Sequence, residues 1–150
     1  MDFETLDRIC DTVNPLMFLW VAALIIRLGW REGWRAGVLA CGFLLAVLLV
    51  VYATRLVDNH FQLWPMFAAD YSTHTAFVLA MAVCLFRLSG RWLPWLVVVL
   101  LYLVAMDYQH YHTWLDMIST ALWCGAWFWL LHQRWPLKPA PAAATDPSHL

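Results

Sequence analysis

The chain has 150 residues, 63% of them apolar and 13% charged, and a formal net charge of −1. An average soluble domain is roughly 45–50% apolar and about 25% charged, so this chain carries too few charges to cover a water-soluble globule. Its charge balance also excludes the basic footprint of a nucleic-acid partner, and eleven Trp fit anchoring at a membrane–water boundary.

Asp2, Glu4, Asp7 and Asp11 precede the first apolar run, where a cleaved signal peptide would be basic, so that run is expected to be retained. Within residues 1–14, Phe3, Leu6, Ile9, Cys10 and Val13 recur at helical spacing, which predicts a short interfacial helix. Five apolar segments follow: Pro15 to Trp30, Ala36 to Thr54, Thr73 to Leu88, Trp92 to Met106 and Trp114 to Leu131. Period-two alternation is absent and unsatisfied backbone cannot face lipid, so each is expected to be a helix. Most are shorter than the roughly 20 residues that cross a bilayer untilted, so several must borrow polar ends or thin the membrane locally. The expected fold is all-α, a polytopic membrane helical bundle of about five transmembrane helices forming one domain over residues 1–135. Residues 136–150, rich in Pro and Ala, are expected to be a disordered cytoplasmic tail. Gly29, Gly33 and Gly37 have GxxxG spacing but lie in a charged connection, which predicts turn chemistry. Cys10, Cys41, Cys84 and Cys124 are widely spaced without a CxxC pair, as expected of small core or lipid-facing residues.

Basic residues orient the helices. Arg27, Arg31 and Arg35 surround the first connection, Arg87 and Arg91 the third, and Arg134 and Lys138 follow the last helix. Placing these regions in the cytoplasm leaves only Arg8 and Arg55 outside, in accord with the positive-inside rule. The amino terminus is then non-cytoplasmic, and His60, His74, His110, His112, Asp58, Asp70, Asp107 and Asp116 gather on that same outer side. A compact chain without a long extramembrane region suggests a bacterial inner membrane, with the ionisable residues facing the periplasm.

Two segments carry the chemistry. Asp70-Tyr71-Ser72-Thr73-His74-Thr75 opens the third helix, and His110-Tyr111-His112-Thr113-Trp114-Leu115-Asp116 opens the fifth. One antiparallel helix separates them, so both helix starts return to one face. His112 and Asp116, four apart, are expected one turn apart on a helix, with the carboxylate accepting from Nδ1 and Nε2 left for a substrate. Helix starts favour anions, and Ser72 and Thr73 are candidates both for the cap and for a hydroxyl contact to phosphate. Asp70 and Arg55 flank the same region.

The Ser-x-His followed by an apolar helix, a short basic turn, a second helix and His-x-x-x-Asp resembles the type 2 phosphatidic acid phosphatase superfamily. Ser72-Thr73-His74-Thr75 and Tyr111 beside His112 are similar to its sphingomyelin-synthase-like branch. The resemblance covers about residues 70 to 132. It implies a phosphatidic acid phosphatase-like core and a metal-independent phosphatase or phosphotransferase working through a phosphohistidine. His112 would be the nucleophile, Asp116 its orienting partner and His74 the general acid, with Ser72, Thr73, Arg55 and Asp70 toward the substrate. The implied partners are membrane lipids, with a lipid phosphate or phospholipid as substrate and no cofactor; a homo-oligomer is compatible with such a bundle. Departures are Thr73 where the family usually has Gly, no Arg near Met106 where one commonly precedes the second His, and no recognisable lysine-and-arginine motif. Two other readings stand beside this one: a divalent-metal site from His60, His74, His110 and His112 with nearby carboxylates, and a catalytically silent scaffold of the same fold.

Overall fold

The computed structural model describes the backbone of residues 3–136 and the side chains of residues 12–136. It is all-helical, with no strand among the described residues. Helix α1 spans Phe3–Glu32, α2 Trp34–Phe61, α3 Thr73–Ser89, α4 Leu93–Tyr108 and α5 Trp114–Arg134, with a 3₁₀ turn at Pro65–Phe67. Two stretches are long and apolar enough to cross a membrane, Thr12–Glu32 and Trp34–Phe61. The expected interfacial helix is continuous with the first apolar run, since α1 passes through Pro15 without a break. Apart from Thr12, Val13 and Asn14, its side chains lie outside the described residues, as does the expected tail beyond Pro136.

Each boundary has a local cause. Gly33, at φ 93°, separates α1 from α2, a conformation that costs glycine little and other residues more. Gly29 and Gly37 do something the sequence did not suggest. A methyl built on Gly37 would lie 3.1 Å from the Gly29 Cα, so the paired absence of side chains lets α1 and α2 touch backbone to backbone beside the turn. Helix α2 runs past Thr54 to Phe61 and ends at Gln62 in the left-handed region. Ser72 caps α3, and Gly90 at φ 69° ends it. Pro94 occupies the first turn of α4, where its missing N–H costs nothing.

Helix α3 is the central element and packs against all four others, whereas the main neighbours of α4 are α1 and α3. Buried residues of α3 wrap around its axis: Thr75, Ala76, Val78, Ala80, Met81, Cys84 and Leu85. An α-helix that is apolar all round belongs in the middle of a packed structure, and the small Ala76 and Ala80 let neighbours approach.

The carboxyl ends of α3 and α5 are fastened together. Arg87, only 2% exposed, donates to the His132 carbonyl at 2.8 Å and the Trp135 carbonyl at 3.1 Å, and meets His132 Nδ1 at 2.9 Å. Its guanidinium also lies 4.8 Å from the centre of the Phe43 ring. Arg87 thus answers the orphan carbonyls that every helix leaves at its carboxyl end. Trp135 completes the joint by donating its indole N–H to the Leu39 carbonyl of α2 at 3.0 Å.

Candidate active site

At the opposite end, a row of side chains on α5 holds the segment between α2 and α3. Ser119 Oγ accepts from the Trp64 indole at 2.9 Å, and Thr120 Oγ1 accepts from the Ser72 N–H at 3.1 Å. The Trp123 indole donates to Thr54 Oγ1 at 3.3 Å. Tyr71 is fully buried; its hydroxyl donates to the Val51 carbonyl at 2.9 Å and lies 3.4 Å from Cys124 Sγ. Burial pushes the Tyr71 phenol well above its ordinary value, so it stays neutral and serves as a peg. Asp58, buried near the end of α2, accepts from the Trp64 N–H at 2.9 Å.

Asp116 ties the two candidate segments to each other. One carboxylate oxygen accepts from the Asp70 N–H at 2.8 Å and the other from the Thr113 N–H at 2.8 Å. Thr113 Oγ1 accepts in return from the Asp116 N–H at 3.3 Å, closing a capping box at the start of α5. A single buried carboxylate therefore fixes the strand of backbone leading to His74 against the one leaving His112.

The result is that His74 and His112 meet. Their ring centroids are 6.2 Å apart with planes inclined at 52°. His74 is exposed in the first turn of α3, and His112 is half-buried in the connection before α5. Rings this close are in the range of aromatic contact, which leaves no room for an anion between their faces. Burial pushes the His112 imidazole below its ordinary value; Asp116 opposes this shift, His74 adds to it, and Asp70 and Arg55 act more weakly in opposite senses. A neutral imidazole is the nucleophilic form.

Several expectations change in detail. His112 is not on the α5 helix face, because the helix begins at Trp114 with Thr113 as its cap. His112 Nδ1 lies 3.9 Å from the Asp116 carboxylate, beyond hydrogen-bond length, because both oxygens of that carboxylate already face backbone N–H groups. Asp116 acts on His112 through charge and through the placement of the chain. Ser72, expected both to cap and to touch phosphate, does the first only: it is fully buried, its oxygen accepts from the Thr75 N–H at 3.2 Å, and it bonds the Thr75 hydroxyl at 2.9 Å. Thr73 is half-buried beside His74, and Asp70 is exposed at the rim. Arg55 is exposed on α2, with its guanidinium 3.5 Å from the Tyr71 carbonyl. No group of three or more His, Cys, Asp or Glu side chains arranged to hold a metal occurs among the described residues. His60 packs against Phe61, and His110 occupies a left-handed turn at φ 57°.

Sequence reasoning missed the α5 row, although Thr113-x-x-Asp116 is itself a readable capping pattern. It also missed an open cleft of about 530 Å³ that begins at Thr73 and His74 and runs between α1, α2 and α3. Chemically, the arrangement offers a neutral imidazole, a second imidazole able to exchange a proton with the same bound group, and a nearby guanidinium. No family model, curated protein or solved structure matches this chain, so what the site can do rests on these residues alone.

Proposed function

We propose that the chain is a polytopic membrane enzyme that cleaves or transfers phosphoryl-containing head groups of lipids. His112 Nε2 attacks phosphorus, the bond from phosphorus to the leaving oxygen breaks, and His74 gives that oxygen a proton. Water or an alcohol then attacks the phosphohistidine while His74 takes the proton back, which restores both imidazoles. Water makes the enzyme a phosphatase; a lipid or polyol hydroxyl makes it a phosphotransferase. Arg55 steadies the anion at the rim, and Asp116 holds the two histidine segments in register.

The observation that carries this reading is the meeting of His74 and His112, 6.2 Å apart, at the starts of two helices. The lowered proton affinity of His112 supports a nucleophile, and helix starts favour the substrate's charge. The order Ser72-x-His74 and His112-x-x-x-Asp116 resembles the type 2 phosphatidic acid phosphatase superfamily. The basic residues Arg27, Arg31, Arg35 and Arg87 belong to the ends of helices away from the histidines, which supports a non-cytoplasmic site and a cytoplasmic carboxyl terminus. The setting that goes with this reading is a bacterial inner membrane, with the site facing the periplasm.

The test is phosphate release from, or head-group exchange between, defined lipids by purified protein without added metal. His112→Ala should abolish both reactions and the acid-labile phosphohistidine. Retention of full activity by His112→Ala would remove the mechanism.

A further inference from the structure

Left-handed backbone positions divide between the two ends of the bundle. Among the described residues, those at the end away from the histidine pair are glycines, Gly33 at φ 93° and Gly90 at φ 69°, whereas those at the histidine end are Gln62 at φ 54°, Ala68 at φ 53° and His110 at φ 57°. Gln62 and Ala68 lie in the connection that leads to His74, and His110 lies in the one that carries His112. A Cβ in this region meets a steric conflict that glycine escapes, so other residues persist there only where their surroundings over-determine the backbone.

The connection from α4 to α5 shows what does so. The His110 N–H donates to the Asp107 carbonyl at 2.9 Å, and the Tyr111 N–H reaches back to the Met106 carbonyl at 3.2 Å. This is the pair of bonds that closes a helix through a left-handed residue, a place usually given to glycine. Met106 and Gln109 are buried, so the turn stands on seated side chains, while the His110 imidazole is exposed. From the other side, the Asp116 carboxylate holds the Thr113 N–H at 2.8 Å in the capping box of α5. Tyr111 is thus the last residue tied by one closed motif and Thr113 the first tied by the next. His112 is the single residue between them.

We infer that His110 is a positioning residue for His112 and acts through its left-handed backbone, not through its imidazole. The inference rests on the reading of His112 as the nucleophile and adds what fixes it in place. One residue spans at most about 3.6 Å, which leaves His112 no slack between its two tied neighbours. If residue 110 leaves the left-handed region, the Tyr111 bond to Met106 is lost while Asp116 still holds Thr113. The displacement then falls on His112.

The test separates backbone from side chain at position 110. His110→Gly and His110→Asn remove the imidazole but tolerate the left-handed conformation; His110→Val removes it and, being β-branched, opposes that conformation. A glycine inserted between Tyr111 and His112 gives the slack directly, at little cost in chain entropy, and serves even where His110→Val does not fold. Two quantities are measured: kcat, and the titration midpoint of the His112 imidazole by NMR of histidine-labelled protein, its signal assigned by its loss in His112→Ala. The glycine and asparagine variants should keep both. The valine variant and the insertion should lower kcat about 10²-fold, the scale of a misplacement of about 1 Å, and raise the midpoint toward 6.5 as the ring leaves its burial and His74. A His110→Gly variant as impaired as His110→Val would overturn the inference, because the imidazole would then be what matters, and so would an insertion that changes neither quantity. Midpoints that follow this order in a chain without turnover would leave the positioning role standing and remove the phosphoryl-transfer reading. Turnover that depends on His112 but ignores both the valine and the insertion would do the reverse.

Discussion

The two ends of the helical stack use the same residue types to opposite effect. At one end, His132 lies beside the rings of Phe86 and Trp129, and its Nδ1 faces a guanidinium that can only donate. Arg87 there is spent on two carbonyls and an imidazole. At the other end, His74 and Arg55 are exposed, His112 is half-buried, and the structural bonding is carried by Asp116, Ser119, Thr120 and Tyr71 around them. Histidine and arginine become structural when backbone carbonyls and rings enclose them, and available for chemistry when other side chains take over the task of holding the chain.

Breaking each end separately should therefore produce opposite phenotypes. His74→Gln is expected to lower kcat by about 10²–10⁴-fold, the usual scale for a lost general acid, with a melting temperature close to that of the parent protein. A full loss of folding in that variant would place His74 with the structural end instead. Arg87→Leu should do the converse. It leaves the His132 and Trp135 carbonyls without their donor and is expected to cost about 2–3 kcal/mol, seen as an earlier urea or thermal midpoint, while the folded fraction keeps its specific activity.

Asp116→Asn tests the residue that belongs to both categories. One backbone N–H keeps an acceptor and the other faces an amide, so a loss of about 1–2 kcal/mol is expected from the cap, together with a fall in kcat as the two histidine segments lose their common tie. The smallest effect is in the pH profile. Because His112 is pushed below 6.5, the nucleophile stays neutral until the pH falls through that lowered value, and the acid limb of kcat/KM should lie below pH 6.5. Asp116 opposes the shift, so removing its charge should move the acid limb lower still. A limb that moves upward in Asp116→Asn would contradict the assignment of His112 as the group being titrated.

The helices were legible because their boundaries are local. The third apolar run, Thr73 to Leu88, differs from α3 by one residue, and Trp114 begins α5 as expected, since Ser72, Thr113 and Gly90 announce the ends within a few residues. The far end of α2 was not legible, because Arg55, Asp58, Asn59 and His60 read as a connection, yet Asp58 is buried and caps the following turn. The histidine pair could be anticipated from topology alone. What holds it could not: the bonds from Asp116 to Asp70, Thr120 to Ser72 and Ser119 to Trp64 join side chains to partners some fifty positions away and leave no periodic trace. The same is true of the cleft, which takes shape only when α1, α2 and α3 stand side by side.

The Arg87 joint also acts at a distance. Roughly 20 Å of helix separates Arg87 from His74 along α3, and a rod packed on every side cannot slide without pulling that guanidinium off its carbonyls. Arg87 therefore works as an axial stop: its loss makes sliding of the rod cheaper and shows as lower stability, while in molecules that stay folded the packing around α3 still holds His74 level with His112.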